Sequence, residues 1–269
     1  MILLVETHAP RFSAKTPLSY VGYNSKQTGE HAYAYFGATF VPVNGAKKYW
    51  LSEVKAENCS PGDYFQLVNG SNLIDLDGTY VYVTEEFADG DESVVGWYDL
   101  DKGDPFEPEA KVEGDDVLID VGRGFLVELS SGLDVKLTFA GEAPSKETEI
   151  KTDGVQYAVI ANYIPRAIPL NWVVPSGAIT PGDWIQKINP DNLIDNDATY
   201  AYVSEIFADG DDSAIGWYDL DKGDVFEPEA KIGNDVLFLP NDAYLCDMST
   251  SSGEDTKFQF PSSLKVLED

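Results

Sequence analysis

The amino-acid sequence predicts an all-β protein: two tandem homologous β-sandwich, or small-barrel, domains with an extra N-terminal strand segment. Three observations support this prediction. The chain contains a long internal repeat, its apolar stretches are short and rich in β-branched and aromatic residues, and turn dipeptides recur at intervals of about ten to twenty residues. Helical periodicity is hard to find in the remaining sequence.

The repeat is carried most clearly by residues 72–111, which recur as residues 192–231 with nine differences in 40 aligned positions. The heptapeptide Tyr-Asp-Leu-Asp-Lys-Gly-Asp occurs at 98–104 and again at 218–224. A unit of about 110–120 residues is a domain and not a solenoid turn, which would be much shorter. We therefore predict an N-terminal extension and two β-domains, with a patternless linker at 141–153. Their ranges are 1–30, 31–145 and 153–267.

The strands follow from composition. Four short segments are rich in β-branched and aromatic residues and are bounded by turn residues, which predicts strands. They are 79–83, 116–119, 124–129 and 135–139. Residues 32–43 alternate small and aromatic side chains over their first half, which is typical of a strand that faces two environments.

Composition and charge exclude several classes of function. The 269 residues carry a net charge of −29, with 43% apolar and 12% aromatic residues, which indicates a folded protein with an acidic surface. Such a charge repels nucleic acid, so we expect no nucleic-acid partner. No apolar run is long enough for a membrane span. Met1 to His8 lacks the features of an intact secretory signal.

The histidines and cysteines of the sequence give little support for a nucleophilic catalytic site. His8 and His31 both precede the first repeated block, so a duplicated Ser-His-Asp or Cys-His site is excluded. Cys59 aligns with Ile179 and Cys246 with Val127, which favours apolar packing positions, although one bridge between the halves stays open. We predict that the protein is not an enzyme.

The acidic loops could hold a cation. Two or three carboxylates on a glycine-containing turn can surround Ca²⁺, which accepts irregular oxygen geometry. The spacing is not that of an EF-hand, and the alternative is that Asp and Gly fill exposed β-turns. The candidate calcium ligands are Asp75, Asp77, Asp89, Asp91, Asp99, Asp101, Asp104, Asp195, Asp197, Asp209, Asp211, Asp219, Asp221 and Asp224. Apart from Ca²⁺, no cofactor is indicated.

Paired carboxylates beside Trp97 or Trp217 could also serve a carbohydrate, as a binding module or a glycoside-active enzyme. The alternative is that each Trp, which follows Gly at the start of a strand, anchors a core.

The order of Val21-Gly-Tyr-Asn, Gly96-Trp-Tyr-Asp, Gly122-x-Gly-Phe and Leu137-Thr-Phe-Ala-Gly-Glu resembles a pattern of exported, uncharacterised bacterial cell-surface β-rich tandem-repeat proteins. The second unit departs from it, with Asn241-Asp-Ala-Tyr and Phe260-Pro-Ser-Ser at the last two positions. The resemblance implies an extracellular location and a repeat architecture, and it transfers no catalytic residue.

Together these features predict a structural subunit of an extracellular assembly, such as a filament, pilus-like fibre or surface layer, whose main partner is further copies of the same chain. The candidate interface is the apolar start of the N-terminal segment, Ile2, Leu3, Leu4 and Val5. Such a strand could complete the sheet of a neighbouring subunit, and head-to-tail repetition of that contact gives a fibre. The alternative is that these residues pair within their own chain. A surface carbohydrate is the alternative partner, in an adhesion module.

Overall fold

The computed structural model describes residues 21–27, 33–37, 48–73, 76–114, 116–130, 135–143, 147–240, 242–251 and 253–262. Within these ranges the protein is all-β, as predicted, and its strands pair antiparallel. Helical turns are limited there to four 3-10 segments at Leu51–Glu53, Glu92–Val94, Leu170–Trp172 and Asp212–Ala214. No helix in the described ranges is long and apolar enough to cross a membrane.

The first half of the chain forms three sheets. Its described strands are β1 Val21–Gln27, β2 Tyr33–Gly37, β3 Lys48–Trp50, β4 Lys55–Glu57, β5 Tyr64–Val68, β6 Leu76–Val83, β7 Gly96–Asp99, β8 Leu118–Asp120, β9 Gly124–Glu128 and β10 Lys136–Glu142. The strand orders are β2-β9-β5-β6-β7, β1-β10-β4 and β3-β8.

The second half repeats this arrangement. Its described strands are β11 Thr148–Lys151, β12 Tyr157–Ala161, β13 Ile168–Pro169, β14 Val174–Gly177, β15 Trp184–Asn189, β16 Asn192–Val203, β17 Gly216–Asp219, β18 Leu237–Phe238, β19 Ala243–Asp247 and β20 Thr256–Phe260. The strand orders are β12-β19-β15-β16-β17, β11-β20-β14 and β13-β18.

The two halves therefore have the same strand connectivity. Adding ten to the number of a first-half strand gives its counterpart, and each described sheet takes all its strands from one half. Among the described strands, each sheet keeps two outer strands and does not close on itself, so the small-barrel alternative is wrong.

The segments predicted as an N-terminal extension and as a linker both contain strands. β1 lies in the range assigned to the N-terminal extension, yet it pairs with β10 at the position that β11 holds against β20. The predicted linker contains the end of β10 and all of β11. The predicted interface residues Ile2 to Val5 lie outside the described residues.

Each half buries its own aromatic core. In the first half Trp97 packs edge-on against Phe65 and Tyr82, with ring centroids 4.8 and 5.1 Å away. In the second half Trp217 packs on Tyr202 at 5.2 Å. β-branched and aromatic residues supply much of the rest of each core, as expected for pleated surfaces with one buried face, together with Leu, Ala, Cys and Met side chains.

A further apolar cluster joins the halves along a contact that we call the seam. It consists of the outward faces of the paired strands β2, β9, β12 and β19, together with one residue of β15. Its buried members are Tyr35, Leu126, Val159, Ala161, Ile188, Ala243 and Leu245. Both faces of β2 and β12 are therefore covered, one by its own core and one by the other half.

The seam has approximate two-fold symmetry. The Tyr33 amide donates to the Pro190 carbonyl at 3.0 Å, and the equivalent Tyr157 amide donates to the Gly70 carbonyl at 2.9 Å. Isolated β-bridges pair Phe36 with Asp242 and, in the exchanged positions, Ile160 with Arg123. Corresponding surfaces of the two halves therefore contact each other, as in an isologous dimer interface.

Candidate functional site

The duplicated acidic segments form two loops in each half. We call residues 84–95 and 204–215 the hairpin loops, because they join β6 to β7 and β16 to β17. We call residues 100–111 and 220–231 the acidic loops, because they follow β7 and β17. Most of the predicted calcium ligands lie in these loops or at their ends.

In the hairpin loops the aspartates build turns. The Asp91 carboxylate accepts hydrogen bonds from the Ser93 amide at 3.0 Å and the Ser93 hydroxyl at 2.6 Å, which caps the 3-10 turn. Asp211 accepts the same two bonds from Ser213 at 3.0 and 2.5 Å. These bonds, led by the one from the serine hydroxyl, lower the pKa of both aspartates.

Asp89 and Asp209 occupy the left-handed region, with φ of +48° in both halves, and each precedes a glycine at φ +84°. Aspartate and glycine tolerate this conformation better than other residues do. The Asp-Gly pair therefore shapes the turn before the capping aspartate.

The acidic loops use their aspartates in a similar way. Asp99 is buried at the end of β7, and its carboxylate accepts from the Asp101 amide at 3.1 Å and lies 3.4 Å from the Lys102 ammonium. In the second half the Asp219 carboxylate accepts from the Asp221 amide at 3.1 Å and lies 3.0 Å from the Lys222 ammonium.

Further along the acidic loops, the Asp104 and Asp224 amides each donate to the Glu107 and Glu227 carboxylates at 2.9 Å. The side chains of Lys111 and Lys231 donate back to the carbonyls of Ser93 and Ser213. The hairpin loop and the acidic loop of each half are thereby tied together.

The remaining predicted ligands lie elsewhere. Asp77 accepts from the side-chain amide of Asn69 at 2.7 Å, and Asp197 pairs with Lys187 at 2.8 Å. Asp75 and the side chain of Asp195 lie outside the described residues. The structure thus brings Asp89 and Asp91 into one turn and Asp99 and Asp101 into another.

In the part of the chain that the structure describes, no three His, Cys, Asp or Glu side chains come together as a metal-binding group. The hydrogen bonds above give the aspartates a structural role in turns. Calcium binding by these loops stays a prediction.

Trp97 and Trp217 cannot form a sugar platform. Their exposed fractions are 2% and 1%, and their indole N–H groups donate to the Val54 and Val173 carbonyls at 2.7 and 2.8 Å. The alternative interpretation of these residues as core anchors is confirmed.

Cys59 and Cys246 are free, buried and in different cores, so they do not bridge the halves. Burial raises the pKa of the Cys59 thiol to about 12, with a smaller effect of Asp63, and burial also raises the pKa of Cys246. Such thiols are poor nucleophiles.

Two buried aspartates not singled out in the sequence fasten the turns of the repeated Pro-Gly-Asp motif. Asp63 accepts from the Ser60 amide at 2.7 Å and from the Ser130 amide at 2.9 Å, across 67 residues. Asp183 accepts from the Thr180 amide at 2.9 Å and the Thr250 amide at 3.0 Å. Both therefore have a structural role, because a buried carboxylate must be hydrogen-bonded.

A cleft of about 230 Å³ opens at the seam between β5, β8 and β12. Arg123 lines it and pairs with Asp153 of the other half at 3.0 Å. The two-fold counterpart of Arg123 is Asp242, so the seam does not repeat the charge of this cleft. The Arg123 guanidinium of the cleft is already paired with Asp153 and so helps to hold the halves together.

The sequence prediction missed a set of exposed phenylalanines in the loops. Phe87 and Phe106 are 42% and 45% exposed, and Phe207 and Phe226 are 40% and 50% exposed. Phe106 and Phe226 also adopt φ of +75°, a region that favours glycine. The signal that could have revealed them is the recurrence of phenylalanine at the same two positions of both acidic segments.

Comparison with known proteins finds no family model, no curated protein and no solved structure that matches the chain. The resemblance to exported β-rich repeat proteins therefore stays a prediction.

Proposed function

We propose that this protein is a non-catalytic structural subunit of an extracellular assembly, and that its two tandem homologous β-sandwich domains form one building block. The observation that carries the proposal is the two-fold seam, in which like surfaces of two like units pack together. The sequence resemblance supports the extracellular location in this proposal.

The seam supports this proposal because it is the kind of contact found between the subunits of homo-oligomers. Equivalent amides and carbonyls are exchanged across it, and its centre is apolar. One chain thus already contains a contact between two copies of the same fold.

An assembly of several chains needs a second contact, between one chain and the next. The three-stranded sheets have outer strands β1 and β4 in the first half and β11 and β14 in the second half. Outer strands carry backbone groups that can pair with a strand of a neighbour. In the proposed assembly the segment with Ile2, Leu3, Leu4 and Val5 supplies that strand to the next subunit.

The test is electron microscopy and light scattering of the purified chain, with and without calcium. We expect concentration-dependent filaments or layers, and a Leu3→Asp/Val5→Asp variant is expected to stay monomeric because charged side chains cannot fill apolar pockets. The matched control is Thr7→Asp, in the same segment but outside the apolar run. A monodisperse chain at every concentration, in both conditions, contradicts the proposal.

Calcium is tested separately by thermal unfolding. If the loops bind Ca²⁺, added calcium raises the melting temperature and a chelator reverses the shift, because a ligand of the native state stabilises it by mass action. An unchanged melting temperature removes calcium from the proposal and leaves the assembly intact.

A further inference from the structure

We propose that the hairpin loop and acidic loop of each half form a docking surface for a lysine- or arginine-rich segment of a partner protein that also carries apolar side chains. The chain would hold two copies of this surface. The inference goes beyond the proposed function and does not depend on self-assembly.

The first argument is that the two loops of each half expose phenylalanine side chains and rest on the same small apolar cluster. Phe87 is followed by the buried Ala88, and the Phe106 ring lies 6.2 Å from the buried Tyr98 ring. Ala88, Tyr98 and Ala110 belong to one small apolar cluster under both loops. In the second half Phe226 lies 6.3 Å from Tyr218 over an equivalent cluster. Each half therefore exposes two phenylalanines from loops that share a packed base, and one of the two rings lies against that base; exposed apolar patches of this kind mark protein-binding sites.

The second argument concerns the backbone of Phe106 and Phe226. Both residues have φ of +75°, where glycine would be favoured, and yet both halves have phenylalanine. The turn itself does not call for an aromatic ring at this position. Because the ring is also about half exposed, burial in the core does not explain it either.

The third argument comes from the divergence between the halves. Residues 96–111 and 216–231 differ at a single position, Pro105 against Val225. In contrast, Tyr35 and Phe36 of β2 correspond to Val159 and Ile160 of β12, although all four are buried. Phe106 and Glu109, which are exposed, are thus identical in the two copies, although the exposed Glu86 of the first hairpin loop is replaced by Ile206 in the second.

The negative charge of the loops indicates a positively charged partner. The two loops of the first half carry nine acidic and two basic residues, and those of the second half carry eight and two. Glu85, Asp89, Asp101, Asp104 and Glu107 are exposed in the same two loops as the phenylalanines. A cationic segment with apolar side chains complements both features, whereas a second copy of the same loops would be repelled.

The two surfaces lie away from the seam. β2 and β12 are the sheet edges that contribute to the seam, while β7 and β17, which precede the acidic loops, are the opposite edges of the same sheets. The two copies should therefore bind independently, with two short ligands for each chain.

The experiment is isothermal titration of the full chain with a short synthetic peptide of repeated Lys-Phe-Lys-Gly-Gly units. We expect two peptides per chain and weaker binding as salt is raised, since screening reduces the attraction. Phe106→Gly is expected to leave one strong site, and Phe106→Gly/Phe226→Gly to weaken binding about fivefold or more at both. Glycine accepts φ of +75°, so these variants should keep the melting temperature of the parent chain.

Two controls make the outcome decisive. Leu239→Ser removes a similarly exposed apolar side chain outside the loops and should leave binding unchanged. A matched Lys-Gly-Lys-Gly-Gly peptide should bind more weakly than the phenylalanine peptide. Equal binding of the two peptides, equal binding by the double variant, or no binding at low salt overturns the proposal.

Discussion

The two halves of the chain share a strand connectivity, but their sequences agree closely in some regions and not in others. Some buried strands have changed: β9 buries Phe125 and Val127 where β19 buries Tyr244 and Cys246. The acidic loops have hardly changed. A core accepts apolar exchanges that neighbouring side chains can accommodate. A turn has stricter needs, because a carboxylate must reach a given amide and a glycine or aspartate must adopt positive φ.

The largest expected effect comes from the two core tryptophans, which test whether the halves are equivalent in stability. Trp97→Ala and Trp217→Ala should each lower the free energy of unfolding by about 3–5 kcal/mol, because the indole leaves a cavity. We expect a single transition in urea, monitored by circular dichroism, since the seam couples the halves.

The matched control is Ile206→Ala, which truncates a side chain that is 81% exposed and should change stability by less than about 0.5 kcal/mol. Two separate transitions, only one of which responds to each tryptophan variant, would show that the halves unfold independently.

The next effect probes the centre of the seam, where the halves differ by one methyl group. A Cβ atom at Gly37 would lie 2.0 Å from the Cβ of Ala161, closer than atoms can approach. Gly37→Ala should therefore cost about 1–3 kcal/mol in urea unfolding, as overpacking does.

The exchange variant Gly37→Ala/Ala161→Gly provides the control, because it moves the methyl group to the other half. It removes the contact at 2.0 Å and should recover part of the loss, because the added Cβ would still lie 3.0 Å from the Arg123 carbonyl oxygen. An exchange variant as unstable as Gly37→Ala alone would contradict the two-fold description of the seam.

Much of the fold could be predicted from the sequence, because it depends on local patterns. The strand predicted at 79–83 lies within β6, and the one at 124–129 contains β9. The alternation that begins at residue 32 correctly indicated a strand with two environments, observed as β2. The pattern could not reveal that the second environment is the other half, since apolar contacts between distant segments leave no spacing signal.

The candidate site was harder to predict. Counting carboxylates located the loops correctly, but Asp91 and Asp99 are used by nearby amides and a lysine, which depends on backbone geometry. Likewise, Trp97 and Phe106 are both aromatic residues next to acidic ones. Only the structure separates the buried anchor from the exposed ring.

A smaller effect is expected at alkaline pH, where both halves should respond. Burial is the main cause that raises the pKa of Tyr80 and Tyr200 to about 12, and it does the same for Tyr35 in the seam. A raised folded-state pKa means that the neutral form is favoured. The stabilising contribution is complete below the unfolded value near 10 and is lost as the pH rises through about 12.

Absorbance of the phenolate ion and urea unfolding at several pH values measure this effect. Tyr35→Phe should reduce the alkaline loss of stability without removing it, because Tyr80 and Tyr200 remain. Full ionisation of all tyrosines near pH 10 in the folded protein would contradict the expectation.

The smallest effect is expected from the two cysteines, which lie in separate cores. A thiol reagent should label neither Cys59 nor Cys246 in the native protein and both in urea, because burial keeps the thiols protonated. Oxidising conditions should leave the melting temperature unchanged. Rapid labelling of one cysteine in buffer would indicate that its half opens more readily than the other.

Because each described sheet takes its strands from one half, the covalent connection between β10 and β11 is not what completes either fold. A protease cut there would leave two fragments, each retaining its complete set of sheets and facing the other across the seam. The fragments should stay associated and, if expressed as separate polypeptides, find each other again as a split protein does.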